Sequence, residues 1–398
     1  MGGWKSPQFF LEVMQNNLFQ DQKFRGILYQ TLVVGFFALG LYFVINTTAY
    51  NLEKRNIATG FGFLNNPAGF DISFSPFLDF KSTDTHLKVY FVGVLNTLLV
   101  SFCGCIAATI LGFIVGIIRL SSNWLLSRIA YIYVEFTRNT PLLLQIILWY
   151  AILIQLPRIK QAPQIWETFY ISNRGLFGPK PIFLDGSNIV ILSLVLGFII
   201  SFFIARWAKK RQDTTGQQFP TFTTNLSIIV FLPLVVFFIM GSPITLEYPV
   251  LKGFNFKGGA VIRPEFIAMF LALSIYTAAF ISETVRSGIL SVTKGQREAS
   301  GALGLKKNWI MRLIIIPQAL RVIVPPLTSQ YLNLTKNSSL GIAVGYADLV
   351  HGFGGISLNQ TGQAIECMAI TMATYLLISL TISFFMNIYN RSIQFKEK

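Results

Sequence analysis

The chain has 398 residues, of which 53% are hydrophobic and only 12% charged, with a mean hydropathy of +0.57. Soluble domains carry about 25% charged residues, which excludes the two or three water-soluble domains this length would otherwise allow. The net charge of +15 sits in short islands between apolar runs and forms no stripe interleaved with aromatics, which excludes a nucleic-acid binder; in a membrane protein, excess Lys and Arg sets orientation.

The first 26 residues are mixed, with Glu12, Asp21, Lys23 and Arg25. The first apolar run, residues 27–45, is long enough to span a bilayer and has no small-residue cleavage site of the A-x-A kind. An outside loop over 46–88 follows. Charge-free windows then predict spans inside 89–118, between Arg138 and Arg158, over 188–205, over 226–241, between Glu265 and Glu283, over about 319–344 with Pro325 and Pro326 inside, and over about 363–389. That makes eight transmembrane helices in an all-α polytopic chain, with a tail over 390–398. Pro325-Pro326 is expected to break or kink its span, freeing backbone groups that are tolerated only where they face protein or a cavity.

Loop charges give the orientation. With the N-terminus inside, 20 Lys and Arg fall in cytoplasmic segments and 11 outside, with Lys336 left within a span. Both termini are therefore expected in the cytoplasm. Arg206, Lys209, Lys210 and Arg211 cast the strongest local vote. The two long outside loops, 46–88 and 158–187, contain apolar pieces and are expected to form a packed cap or interfacial helix. Asp71, Asp79 and Asp84 lack the regular spacing of a calcium loop. Cys103, Cys105 and Cys367 belong to no CxxC pair, and with two His in the chain no familiar metal spacing can be assembled. They read as buried thiols, and no metal site is expected.

Function is concentrated in residues 282–339, which begin as the sixth span ends and form a basic loop. Gly295-Gln296 offers a turn. Glu298, Ala299, Ser300, Gly301, Ala302, Leu303 and Gly304 read as a short helix of unusually small residues. A helical Gly costs about 1 kcal/mol relative to Ala, a cost that close approach to another surface would offset. Glu298 is expected in the first turn, where a carboxylate complements the helix dipole. Leu303, Leu305, Trp309 and Ile310 supply apolar contacts, and Lys306, Lys307 and Arg312 hold the loop at the cytoplasmic face.

This segment resembles the cytoplasmic coupling loop of ABC importer permeases. The family's E-A-A, following Gly and later apolar-Pro step stand here as Glu298-Ala299-Ser300, Gly304 at a somewhat displaced position, and Ile316-Pro317. Ser300 in the third place departs mildly from the pattern. The resemblance to the polar-amino-acid branch is closer. It rests on Glu283/Arg286, Gly288-Ile289, Ser291-Val292, Gly295-Gln296, Glu298-Ala299, Ala302 to Leu305, Pro317-Gln318-Ala319, Arg321 and Lys336-Asn337-Ser338-Ser339-Leu340. Upstream, Asn96-Thr97-Leu98 and Arg138-Asn139-Thr140-Pro141-Leu142-Leu143 also look like this branch.

The resemblance covers about residues 92–389, with an insert at about 158–262, and the eight-span layout is similar to permeases for general or neutral amino acids. It implies a type I ABC importer fold in the C-terminal three quarters and a bacterial inner-membrane location. It implies an ABC ATPase dimer, a second and usually different permease subunit, and an extracytoplasmic substrate-binding protein as partners. ATP and Mg would sit on the ATPase, since nothing here matches G-x-x-x-x-G-K-[ST], and this chain would bind no cofactor. Residues Gly295, Gln296 and Glu298 to Leu305 would dock the ATPase.

Glu283 and Arg286, three apart on a helix, can pair, either as a structural pair at the membrane border or in gating. Arg138 reads as an interfacial anchor starting the third span, where Pro141 suits a first turn, or as a ligand contact. Lys336, with Asn337, Ser338 and Ser339, lines the expected substrate path. It meets or gates the ligand, or is held by Glu366 or by carbonyls freed at Pro325-Pro326. A secondary transporter is the rival reading, but it would show inverted repeats and broken-helix pairs and would not need the loop. A membrane enzyme would need a catalytic cluster that the sparse intramembrane acids, chiefly Glu366 and Glu135, do not form.

Overall fold

The computed structural model of the chain describes residues 22–54, 59–166 and 168–394. Most of the N-terminal segment 1–26 and the end of the tail 390–398 lie outside the described residues. The first helix, α1 (Gln22–Lys54), is longer than the apolar run that announces it, and none of its apolar window is buried against the chain. Helix α2 (His86–Ile118) follows, then α3 (Trp124–Asn139) and α4 (Leu142–Ile154). A hairpin of α5 (Ser187–Thr215) and α6 (Thr221–Ile239) leads to α7 (Pro264–Leu290). The helix of the loop after α7 is α8 (Lys294–Ala302). Short α9 (Lys307–Ile310) and a π turn (Met311–Ile315) run into α10 (Ile316–Asn337) and a 3-10 turn (Ser338–Val344). Two one-turn helices, α11 (Leu349–His351) and α12 (Leu358–Thr361), precede α13 (Ala364–Ile393). Among the described residues seven helices are long and apolar enough to cross a membrane, or eight when the bent α3–α4 pair counts as one span.

Helix α7 is the axis of the bundle. It buries Ala268, Met269, Ala272, Leu273, Ala278, Ile281 and Val285, and α2, α4, α3 and α10 pack around it. Small residues let the backbones approach. Gly104, Ala108, Gly112 and Gly116 recur every four residues along α2, the small-xxx-small arrangement by which membrane helices gain van der Waals contact without a hydrophobic driving force. A Cβ on Gly112 would lie 2.6 Å from Ile281 Cβ, so no larger residue fits there. The α5–α6 hairpin repeats the device with buried Ser193, Gly197 and Ser201, and α5 packs on α6 far more than on any other helix.

The third span differs from its expected course. Arg138 lies within a bent pair of helices, α3 and α4, which meet at an angle of 107°. Thr140 is extended because the ring of Pro141 excludes a helical residue before it. The bend leaves carbonyls free, and the buried Gln145 Nε2 donates to Thr137 O (3.1 Å), Thr140 O (3.3 Å) and Thr140 Oγ1 (2.7 Å), the internal satisfaction a membrane demands. Pro325 and Pro326, expected to interrupt their span, lie inside an unbroken α10. Ile323, Val324 and Leu327 are buried there, and tertiary packing carries the helix through the two missing N–H groups.

Short strands lie in the loops between α4 and α5 and between α6 and α7 of this mostly helical chain. β1 (Gln164–Ile165), β2 (Phe169–Ser172), β3 (Gly175–Gly178) and β8 (Ala260–Ile262) form an antiparallel sheet in that order. β4 (Lys180–Phe183) pairs with β5 (Ile244–Glu247), and β6 (Val250–Lys252) with β7 (Asn255–Lys257). The β3–β8 register, Phe177 opposite Val261, closes the α5–α6 insert at its base. The first outside loop forms a cap in which Phe63 and Ala68 pack on Val89, Leu349, Phe353 and Cys367.

Candidate coupling and translocation sites

Helix α8 is fastened to the end of α7. Arg297 Nη2 donates to the terminal carbonyl of Ile289 at 2.7 Å, Val292 is buried in the main core, and Ser300 Oγ turns back to Gln296 O. The helix ends in a Schellman arrangement: Gly304 N donates to Gly301 O (2.9 Å) and Leu305 N to Ser300 O (3.3 Å). Gly304 has φ of +75°, a conformation that L side chains reach only with strain. Its glycine is therefore demanded by the turn within this chain, a role the small-residue pattern alone did not separate from docking. Gly295 and Gly301 differ. Neither has positive φ, and a Cβ on either meets nothing within 4 Å.

Glu298 is the fifth residue of α8, past the first turn where the dipole would act. It is exposed and forms no ion pair or hydrogen bond among the described residues. Ala299, Gly301 and Ala302 are exposed with it. Beside them, Leu303 is 80% and Trp309 55% exposed, although the loop is outside the spans. A smooth helix with a free carboxylate and bare apolar neighbours is an unsatisfied interface within this chain.

At the same end of α7, Glu283 and Arg286 form the expected pair, with Arg286 Nη2 2.7 Å from Glu283 Oε1. A third member was missed by the sequence reading. Arg119, the C-cap of α2, pairs through Nη1 with the other carboxylate oxygen, and its side chain is only 8% exposed. No local spacing points to Arg119; only the packing of α2 on α7 brings it there. Arg138 closes α3 rather than opening a span, and its guanidinium lies 5.4 Å from the centroid of the Phe280 ring.

Lys336 is exposed at the end of α10, and it is not paired with Glu366. Glu366 Oε1 accepts from Gly60 N of the outer loop at 2.6 Å, so the structural-pair reading is corrected. Asn337 precedes the following turn, and its side chain makes no capping hydrogen bond. Ser339 Oγ donates to Lys336 O at 2.7 Å. Ser338 is wholly buried: its hydroxyl donates to Thr335 O (2.8 Å) and lies 3.4 Å from Tyr375 Oη.

Tyr375 leads to a buried carboxylate that the sequence did not single out. Its hydroxyl donates to Asp348 Oδ2 at 3.2 Å, and His351 N donates to Asp348 Oδ1 at 2.8 Å. Asp348 is 0% exposed. Burial raises its carboxyl to about 6, against hydrogen bonds from backbone amides that act the other way. The Asn96-Thr97 motif explains itself here. Asn96 Nδ2 donates to Ala347 O and Phe74 O (both 2.8 Å), and Thr97 Oγ1 accepts from Leu349 N at 3.1 Å. Together they pin the 345–363 segment onto α2.

A chain with seven or eight helical spans, an exposed acid-bearing helix beyond the end of α7 and a polar segment closing α10 is a multi-pass membrane protein. The profile of the family described as binding-protein-dependent transport system inner membrane component matches residues 193–395. The chain is 50% identical over 379 residues to the general L-amino acid transport system permease protein AapQ of Rhizobium johnstonii, covering 95% of this chain and 94% of that one. It is 47% identical to the putative amino-acid ABC transporter permease protein YhdX of Escherichia coli (96% and 97% covered). It is 42% identical to the glutamate/glutamine/aspartate/asparagine transport system permease protein BztB of Rhodobacter capsulatus (96% of each). The chain belongs to the family of inner-membrane components of binding-protein-dependent transport systems. The comparisons lend no support to the secondary-transporter alternative.

Proposed function

We propose that this chain is one of two membrane-spanning subunits of an ATP-driven importer that carries L-amino acids across a bacterial plasma membrane, with both termini in the cytoplasm. The observation that carries this reading is the α8 surface. Glu298, Ala299, Gly301, Ala302 and Leu303 are exposed at the end of the core helix α7, and Glu298 has no ion-pair partner among the described residues. An ABC ATPase would receive that surface, with ATP and Mg bound and hydrolysed there and no cofactor on this chain. The AapQ, YhdX and BztB names support amino acids as cargo. The second permease subunit would be a homologue rather than a copy, and an extracytoplasmic binding protein would deliver the substrate. Exposed Lys336 at the end of α10 would meet the substrate carboxylate or gate its passage.

Uptake of a panel of labelled L-amino acids by cells lacking this chain tests the proposal. Loss of uptake of several amino acids, restored by the wild-type chain and not by a variant lacking residues 294–305, is expected. Unchanged uptake across the panel would sink it.

A further inference from the structure

A concave site of about 620 Å³ lies at the α2–α3 corner. Arg119, Arg128 and Arg286 all line it. The guanidinium carbons of Arg119 and Arg128 lie 5.6 and 5.4 Å from the centroid of one ring, that of Tyr131. Glu283 is the single carboxylate paired with this group, shared by Arg119 and Arg286. Arg128 forms no ion pair among the described residues. Three guanidiniums against one carboxylate leave a local excess of two positive charges. Such convergence costs Coulomb energy at a low-dielectric border unless an anion joins it.

The surroundings give the depth and the donors. Asn123 Oδ1 caps α3 by accepting from Leu125 N and Leu126 N, and Ser121 and Ser122 in the preceding turn line the pocket. Immediately beyond, Trp124 is exposed, followed by exposed Leu125, Ile129 and Ile132. An apolar helix face starting at a Trp places the pocket where acyl chains give way to headgroups. Arg forks match phosphate oxygens bidentately, and basic pockets at a membrane border take anionic headgroups.

We propose that the Arg119–Arg128–Arg286 corner binds a net-anionic phosphate group, supplied by a lipid headgroup or by free phosphate. The test uses the purified transporter assembly in phosphatidylcholine nanodiscs, alone, with phosphatidylglycerol, and with inorganic phosphate. Lipid retention is read by native mass spectrometry and stability by the unfolding midpoint. Wild type should hold phosphatidylglycerol in preference to phosphatidylcholine, or be stabilised by phosphate in the phosphatidylcholine discs; which arm responds identifies the source. Arg128→Gln should weaken the response about fivefold, the effect of about one juxtamembrane cation, and Arg128→Lys should keep most of it. No preference and no phosphate response in the wild type would overturn the site, as would a full response in Arg128→Gln. The wild-type arms decide even if a variant fails to assemble.

Discussion

Arg119 and Glu283 stand 164 residues apart in the chain and form an ion pair at the inner end of the α2–α7 contact. Glu283 holds Arg286 with its other oxygen, so one carboxylate ties two helices and bridges two cations. Glu283→Gln would leave two guanidiniums facing each other. It should cost about 1–2 kcal/mol, since hydrogen bonds to charged groups contribute more than neutral ones but Glu283 is partly solvated. Thermal unfolding of the solubilised assembly measures this, and a double-mutant cycle with Arg119→Gln should return a coupling energy above 0.5 kcal/mol. Additive effects would mean the pair is incidental.

The glycines of α8 separate fold from docking. At φ of +75°, Gly304→Val should strain the helix end and lower the stability of the loop, whereas Gly304→Asn should be tolerated because Asn visits the left-handed region. Gly301→Leu has open space and ordinary backbone within this chain. It should leave the fold unchanged and strip the ATPase subunits from the purified assembly. Normal co-purification and substrate-stimulated ATPase in Gly301→Leu would remove α8 from the docking surface.

Lys336→Met keeps the aliphatic stem and removes the charge. Because Glu366 bonds Gly60 and not Lys336, assembly and basal ATPase should persist while uptake of every substrate falls. A charge in the bilayer interior costs at least about 2.5–3.5 kcal/mol, and a side chain retained at that cost with no ion-pair partner among the described residues needs a wet path or a ligand. Full uptake by Lys336→Met would place the path elsewhere.

Asp348 sets a pH dependence in the outer cap. Its folded carboxyl is raised from 3.8 to about 6, so the folded state binds more protons than the unfolded one between those values. The favourable contribution is complete below about 3.8 and is lost as pH rises through about 6. The groups facing it are Tyr375, the His351 amide and Tyr346. Hydrogen exchange over 345–363 should therefore quicken from pH 4.5 to 7 in the wild type, beyond the intrinsic rise. Asp348→Asn should flatten that difference. An identical slope in both would show that Asp348 does not control the cap.

Topology has its own test. Single cysteines at Lys54 and Lys252 should react with an impermeant thiol reagent on cells with a permeabilised outer membrane, and those at Lys210 and Lys306 should not. Labelling at position 210 would invert the orientation drawn from the loop charges.

Apolar run length determined the number of spans, because crossing a bilayer needs a helix of about 20 residues whatever its neighbours do. The ordered motif from Glu283 to Leu340 singled out the α8 segment for the same kind of reason: its pattern is local, carried on one helix and its cap. What the packing decided is non-local. Arg119 reaches Glu283 only because Gly112 and Gly116 let α2 close on α7. Gln145 looks like an ordinary polar residue in an apolar run until the 107° bend gives it three acceptors to satisfy. The pairing of Lys336 with Glu366 was reasonable from charge alone, but the fold turns Glu366 toward the outer loop, where it accepts from Gly60 N. Buried Asp348 was invisible in a short polar loop, since nothing within a few residues of it records that Tyr375 and Asn96 will enclose it. Partners of a buried charge are chosen by which helices meet, and that depends on small residues spread over hundreds of positions rather than on spacing within any one segment.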